Sequence, residues 1–282
     1  MNTPTIAGDW WTIAGVPDLG RYNTNTIEPM DFSVWQAADG SWQLGACVRG
    51  TACGGHGRLL YRWESPTLKQ PDWAKCGVLM LAEPSFGETA GGLQAPYVIR
   101  HEGHYYMFYG DWTNICLANG EDGKTFARHL RDGRSALFNE GSDNFTRGPM
   151  VARYGSAFFL YYTAVVDGVG AIFCRTSTDL HDWSESQVVS RGGSGGTGPA
   201  DAECAFAYRR GSAYYLLRWH SDGNTSVYRS NDPLNFGIDS DDMRVATLPV
   251  EVARIIENDG YSYLTSLRPD LQGIRLANLK WK

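Results

Sequence analysis

The sequence predicts an all-β chain, on three observations: a strand–turn–strand unit that occurs five times, a third short strand after each copy, and no stretch of ten or more residues with a capped helical period. The unit is plainest at 147–164, RGPMVARYGSAFFLYYTA, where an apolar strand meets a turn at Gly155 and leaves it as an aromatic strand. The other copies are DFSVWQAADGSWQLGA around Gly40, APYVIRHEGHYYMFYGDW around Gly103, ECAFAYRRGSAYYLLRWH around Gly211 and VARIIENDGYSYLTSL around Gly260. The five glycines are 63, 52, 56 and 49 residues apart. A strand-built period near 50 residues points to a propeller or an array.

The third strands complete the pattern. They read RLLYRWESPTL (58–68), NICLANGEDG (114–123), AIFCRTSTDL (171–180), TSVYRSNDPL (225–234) and GIRLANL (273–279), each alternating apolar residues as a half-buried strand does. The first four run into a polar turn followed by an aromatic: Trp73, Phe126, Trp183 and Phe236. The expected architecture is a single domain over 1–282, a five-bladed β-propeller with inner strands beginning near 31, 95, 148, 203 and 251. A β-sandwich with irregular hairpins is the alternative. The one strand-like segment outside the repeats, AGDWWTIAG (7–15), is expected to close the last blade beside the carboxy-terminal strand.

Composition agrees and narrows the function. With 43% hydrophobic and 13% aromatic residues the chain has mass for a sizeable core, and 33 glycines and 12 prolines supply turns. The formal charge of -6 is mild and no Lys/Arg stripe forms, so nucleic acid and an anionic membrane are not expected partners. The six cysteines lie scattered without a CxxC pair; Cys116 and Cys174 read as buried thiols, and a Cys47–Cys53 disulfide is weakly supported. The start, MNTPTIAGDWW, has neither a basic region nor an apolar run, so a soluble chain is expected, cytoplasmic or already trimmed of a leader. Its oligomeric state is not legible.

In a propeller the innermost strands run the same way, so their first residues ring one mouth of the axial funnel. Those residues are Asp31, Gln94–Ala95, Arg147–Gly148, Glu203 and Glu251. Acids that open buried strands are costly unless they are used or paired. Asp31 precedes FSVW and Glu203 precedes CAFAY, so both are expected at a site. For either acid alone, capping a strand end is the plainer explanation.

The phrases APYVIRHEGHYYMFYG, RGPMVARYGSAFFLYYTA, CRTSTDLHDWSES and AECAFAYRRGSAYYLL, within a pattern spanning about 31–279, resemble the glycosidases of glycoside hydrolase families 43, 32 and 117. The S-x-D-L-x-x-W phrase at 177–183 is structural in those propellers. The resemblance implies a glycoside hydrolase acting on an oligosaccharide in the funnel, by analogy a furanoside or a short plant or algal oligosaccharide. It also implies three acids, opening the innermost strands of blades one, three and four. Asp31 and Glu203 match the first and last. The middle position departs from the pattern: where those families carry Arg-Asp-Pro, this chain reads Arg147-Gly148-Pro149. Another acid (Asp201, Asp111 or Asp167) takes its place, or the chain binds sugar without cleaving it, or the change was introduced.

Glycosidic hydrolysis needs one carboxylic acid to protonate the leaving oxygen and one carboxylate across the bond. Glu203, flanked by Ala202, Cys204 and Ala205, is expected to hold its proton and act as the acid. Asp31 is the base of an inverting enzyme or the nucleophile of a retaining one. It lacks the Asn-Asp-Pro-Asn-Gly context of the retaining fructan-cleaving relatives, so an inverting, exo-acting enzyme is expected. Gln94, Arg147, Gly148, Trp35, Asp111, Trp112 and His220 are the expected substrate-binding residues, with Trp219 a further stacking candidate. No cluster has metal-ligand spacing, so no cofactor is expected, although a structural calcium ion near His220 stays open.

Overall fold

The computed structural model describes residues 3–140 and 145–282. Five antiparallel sheets carry the chain, one per repeat. Blade one runs Glu28–Gln36, Trp42–Arg49, Leu59–Ser65 and Ala74–Met80; blade two runs Gln94–His101, His104–Gly110, Ile115–Gly120 and Ala136–Phe138, with Ala127–Arg128 also on its third strand. Blade three comprises Arg147–Tyr154, Ala157–Val166, Val169–Ser177 and Gln187–Ser190; blade four comprises Glu203–Arg210, Ala213–Trp219, Thr225–Ser230 and Arg244–Leu248. In blade five Arg254–Asn258, Tyr261–Leu267 and Gly273–Trp281 are joined by Pro4–Gly15, which pairs antiparallel with the carboxy-terminal strand from Pro4↔Trp281 to Gly15↔Gly273. Three 3-10 turns are the only helical elements among the described residues, and no helix there is long and apolar enough to cross a membrane.

The hairpin glycines divide by turn chemistry. In blades two and five the two-residue turns are Glu102–Gly103 and Asp259–Gly260, with both residues at positive φ, a geometry whose twist matches that of the flanking strands. In blades three and four the turns are Gly155–Ser156 and Gly211–Ser212, with the glycine first. The core lies between blades: Tyr61, Trp63 and Leu44 of blade one pack with Ile13, Tyr263 and Leu276 of blade five, so the amino-terminal strand both completes a sheet and seals the ring. All six cysteines are free thiols. Cys47 donates to the Leu93 carbonyl and Cys53 to the Arg58 carbonyl, each at 3.3 Å, which sets the Cys47–Cys53 disulfide aside.

One irregularity decides the site. Each of the first four inner strands slips register where it begins, between Pro29 and Phe32, Gln94 and Tyr97, Arg147 and Met150, and Glu203 and Phe206. A bulge of this kind bends the strand and re-aims side chains. Ala95, Gly148 and Cys204 inside these bulges, and Val252 ahead of the fifth inner strand, have φ of 43°, 65°, 53° and 53°.

Candidate active site

A cavity of about 250 Å³ opens where the inner strands start, and every blade contributes to its wall. Asp31 and Glu203 both line it, from blades one and four. Their places in the bulges differ, however: Glu203 pairs with Trp219 immediately before its bulge, whereas Asp31 lies inside the unpaired step of blade one. The paired counterparts of Glu203 are Gln94 and Arg147, which the sequence repeat alone aligned one residue out of step.

Glu203 is nearly enclosed, with 13% of its side chain exposed. Arg147 grips it from both sides of the carboxylate: Nε donates to Oε1 and Oε2 at 3.1 Å each, and a terminal nitrogen donates to Oε1. Burial pushes the Glu203 carboxyl above the ordinary range; Arg147 pulls it down and the negative charge of Asp31 pushes it up. The remaining Arg147 donors go to the carbonyls of Phe145 (3.2 Å) and Pro199 (3.4 Å), so this guanidinium is committed to the protein. Two further bonds fix the bulge that carries Glu203: Arg254 donates to the Cys204 carbonyl at 2.7 Å, and the Thr163 hydroxyl donates to the Ala202 carbonyl at 3.0 Å.

Among the described residues Asp31 has one side-chain partner, the Cys204 thiol of blade four, which donates to Oδ1 at 3.0 Å across the funnel mouth. Burial and the nearby Asp31 and Glu203 charges push this thiol well above its ordinary pKa, so it stays protonated and able to donate. Cys204 therefore positions Asp31 within the cavity. Replacing it tests this: Cys204→Ala is expected to lower kcat about tenfold, the scale of one hydrogen bond to a charged group. Cys204→Ser keeps a donor and recovers most of the loss. Steady-state rates alongside thermal melts separate positioning from general destabilisation, which both variants would share.

Gln94 also lines the cavity, is 4% exposed, and has no hydrogen-bond partner for Oε1. A buried unsatisfied acceptor at a cavity wall suits a ligand hydroxyl. Trp112 stands on the same wall with φ 86°, its indole stacked on His56 at 3.8 Å.

Three expected binding residues are placed elsewhere. Trp35 is wedged between blades one and two, its Nε1 donating to the Gly123 carbonyl at 2.7 Å and its ring edge-on to Phe126. Apolar packing claimed it. Asp111 is fully buried and caps its own turn, accepting from the Asn114 and Thr113 backbone N–H groups at 2.6 and 3.0 Å. His220 is 3% exposed, with Nδ1 2.9 Å from the Asp201 carbonyl, and the glycine-rich loop covers it so closely that a Cβ on Gly195 would lie 2.3 Å from its ring. Burial lowers its pKa.

None of the acids considered for the missing third carboxylate lines this cavity. Asp201 accepts from Ser221 and from the Gly198 N–H at 2.5 and 2.7 Å, contacts that hold it below the usual carboxylate range. Asp167 belongs to a separate hollow of about 420 Å³ on blade three. That hollow is larger, but its other acid, Glu140, is spent on Arg175, Tyr162 and Ser186. Among the described residues, no group of three or more His, Cys, Asp or Glu side chains is placed to hold a metal ion.

Sequence reasoning did not assign Arg49, Arg58, Cys204 or Phe145 to the site and gave Glu251 a place at the funnel mouth without a role, yet all line the cavity. Glu251 had a readable signal, since it stands at the head of the fifth inner strand. Arg49 ends the second strand of blade one and Arg58 stands directly ahead of the third; Arg58 opens the 58–68 repeat, but the corresponding residues of the other repeats give no sign of a funnel position.

No protein-family model and no curated protein matches the sequence. Solved structures do match. A thermostable family-43 glycoside hydrolase superposes with a TM-score of 0.67 at 17% identity, over 95% of this chain and 92% of that one. A family 117 glycoside hydrolase of the marine bacterium Zobellia galactanivorans gives 0.67 at 14% identity, over 99% and 90%. A family 32 β-fructofuranosidase of Bombyx mori gives 0.64 at 15%, over 94% of this chain and 60% of that one. The chain has the fold of the propeller glycoside hydrolases. At such identities the likeness reaches the fold and stops there.

Proposed function

We propose that the chain is a glycoside hydrolase that cleaves a terminal glycosidic bond of an oligosaccharide bound in the funnel, with inversion. The observation that carries this reading is the meeting of Asp31 and Glu203 in one cavity, with Glu203 shielded from water. Glu203 gives its proton to the leaving oxygen, while Asp31 takes a proton from the water that attacks the anomeric carbon. Gln94 accepts from a sugar hydroxyl. A cavity of about 250 Å³ favours an end residue over the middle of a long chain, hence the exo-acting proposal. A screen of chromogenic glycosides and oligosaccharides tests it, with anomer detection by NMR giving the stereochemistry. Failure of every glycoside to turn over would sink the hydrolase reading.

A second reading, sugar binding without cleavage, draws on Gly148 and on the two-point grip of Arg147, which favours ionised Glu203. Gly148→Asp separates the two. A Cβ at this position meets nothing nearer than Thr163 Oγ1 at 3.9 Å, so the side chain fits. Its φ of 65° disfavours a side chain, at about 1–2 kcal/mol, although Cys204 occupies the corresponding bulge with φ 53°. A new carboxylate beside Glu203 raises its proton affinity by like-charge repulsion. The expected result is faster turnover, an alkaline limb moved to higher pH, and a melting temperature a few degrees lower. Brisk turnover by the unaltered chain, with Gly148→Asp neutral or harmful, would defeat the missing-carboxylate argument.

A further inference from the structure

Three arginines line the funnel, and two are committed. Arg49 pairs with Glu28 at 2.6 Å and Arg147 with Glu203. Arg58 is different: among the described residues its guanidinium forms no ion pair with a carboxylate, meeting instead the Cys47 thiol, a weak acceptor, and it stands 4.9 Å from the centre of the Trp112 ring.

Arg58 is also held in place. The loop carrying it is zipped to the segment before blade two: His56 N donates to the Ala90 carbonyl at 3.1 Å, and Arg58 N to the Gly91 carbonyl at 2.9 Å. The approach requires glycine on both sides, since a Cβ on Gly55 would lie 1.8 Å from the Ala90 oxygen and one on Gly91 2.0 Å from the Gly54 oxygen. Trp112 adds a second constraint. A tryptophan at φ 86° is strained, and this one stacks on His56 and meets Phe145 edge-on at the cavity wall. Backbone strain, a glycine-locked loop and a cation without a carboxylate partner thus converge on one wall, which also holds the unpartnered Oε1 of Gln94.

We propose that this wall is a subsite for an anionic sugar residue, one whose carboxylate or sulfate ester takes the Arg58 guanidinium while its ring lies beside the Trp112–His56 stack. The inference rests on reading the funnel as a saccharide site. The planar fork of arginine matches two oxygens of either anion, and the neighbouring aromatic supplies an apolar face for the ring. Arg58 is the funnel arginine without a carboxylate partner, because Glu203 holds Arg147 and Glu28 holds Arg49. Asp31 and Glu251 also line the cavity and repel an anion, which leaves the Arg58 wall as its place. An anion held there adds negative charge beside Glu203 and favours the protonated form that an acid catalyst needs.

The test is calorimetric titration of the full chain with matched pairs: trigalacturonic acid against galactotriose, glucuronic-acid-substituted xylotriose against xylotriose, and a 6-sulfated galactose disaccharide against its desulfated form. The acidic member of at least one pair is expected to bind about tenfold tighter or more, the scale of a charge-assisted hydrogen bond, and to lose that margin as salt is raised. The pair that responds separates carboxylate from sulfate. Arg58→Gln brings the acidic-to-neutral ratio toward one, and Arg58→Lys keeps part of it; melting curves confirm that both variants fold. Equal binding within every pair overturns the anionic subsite and leaves the saccharide reading standing. Failure of acidic and neutral sugars alike to bind overturns both.

Discussion

Glu203→Gln is expected to reduce hydrolysis of natural oligosaccharides by about 10²–10⁴-fold, the usual contribution of a positioned general acid. The substitution is close to isosteric, and its amide oxygen still accepts from Arg147, so the bulge and the cavity persist. What disappears is the proton. Burial raises the Glu203 carboxyl against the pull of Arg147, which keeps a usable protonated fraction at pH values where a solvent-exposed glutamate would have ionised. Nitrophenyl glycosides need little protonation of the departing oxygen and should lose far less. The measurement is kcat/KM on both substrate kinds for both proteins. An equal loss on the two would remove Glu203 from the acid's role.

Arg147→Gln should produce the largest change in stability. The pair is nearly enclosed, with 12% and 13% of the two side chains exposed, and removing one partner of such a pair leaves the other charge buried without compensation. A cost of about 3 kcal/mol is expected at neutral pH. The cost depends on pH, and its sign follows from the carboxyl. The folded-state pKa of Glu203 is already raised, and losing Arg147 raises it further. Such a group contributes stability that is fully present below its unfolded value, near 4.5, and lost as pH rises through the folded value. The deficit of the variant is therefore smallest in acid, where both folded proteins hold the Glu203 proton, and grows once pH passes the folded value of the unaltered protein, which lies above 4.5; urea denaturation at a series of pH values measures it. In activity, the alkaline limb of the pH–rate profile moves upward, because the group that favoured ionised Glu203 has gone. A deficit that stayed constant with pH would mean that the pair carries no net charge coupling.

The repeat made the architecture readable. Two-residue turns fix hairpin register through local backbone geometry, so Gly103, Gly155, Gly211 and Gly260 each announced a hairpin from their neighbours alone. The third strands were equally local, an alternation of apolar residues over six to nine positions. Even ring closure had a sequence signature, because 7–15 was the one strand without a repeat to belong to, and Pro4–Gly15 is the outer strand of blade five. Asp31 and Glu203 were found for a related reason: a carboxylate opening a buried strand is expensive, and the expense shows without coordinates.

Side-chain destinations across blades were not readable. Trp35, Asp111 and His220 each lie one residue from a strand end, and sequence position cannot tell whether such a group turns to the funnel or into an inter-blade seam. That choice belongs to packing: Gly123 offers a carbonyl to Trp35, Asn114 caps on Asp111, and the loop around Gly195 closes over His220. Five blades, the strand that closes them and two acids at the mouths of inner strands were legible in the residues alone, because each depends on neighbours along the chain. Only folding in three dimensions brings Arg147 onto Glu203, Cys204 onto Asp31 and Arg58 beside Trp112 with no carboxylate partner. Those contacts join residues tens to hundreds of positions apart, and their geometry exists only once the ring has closed.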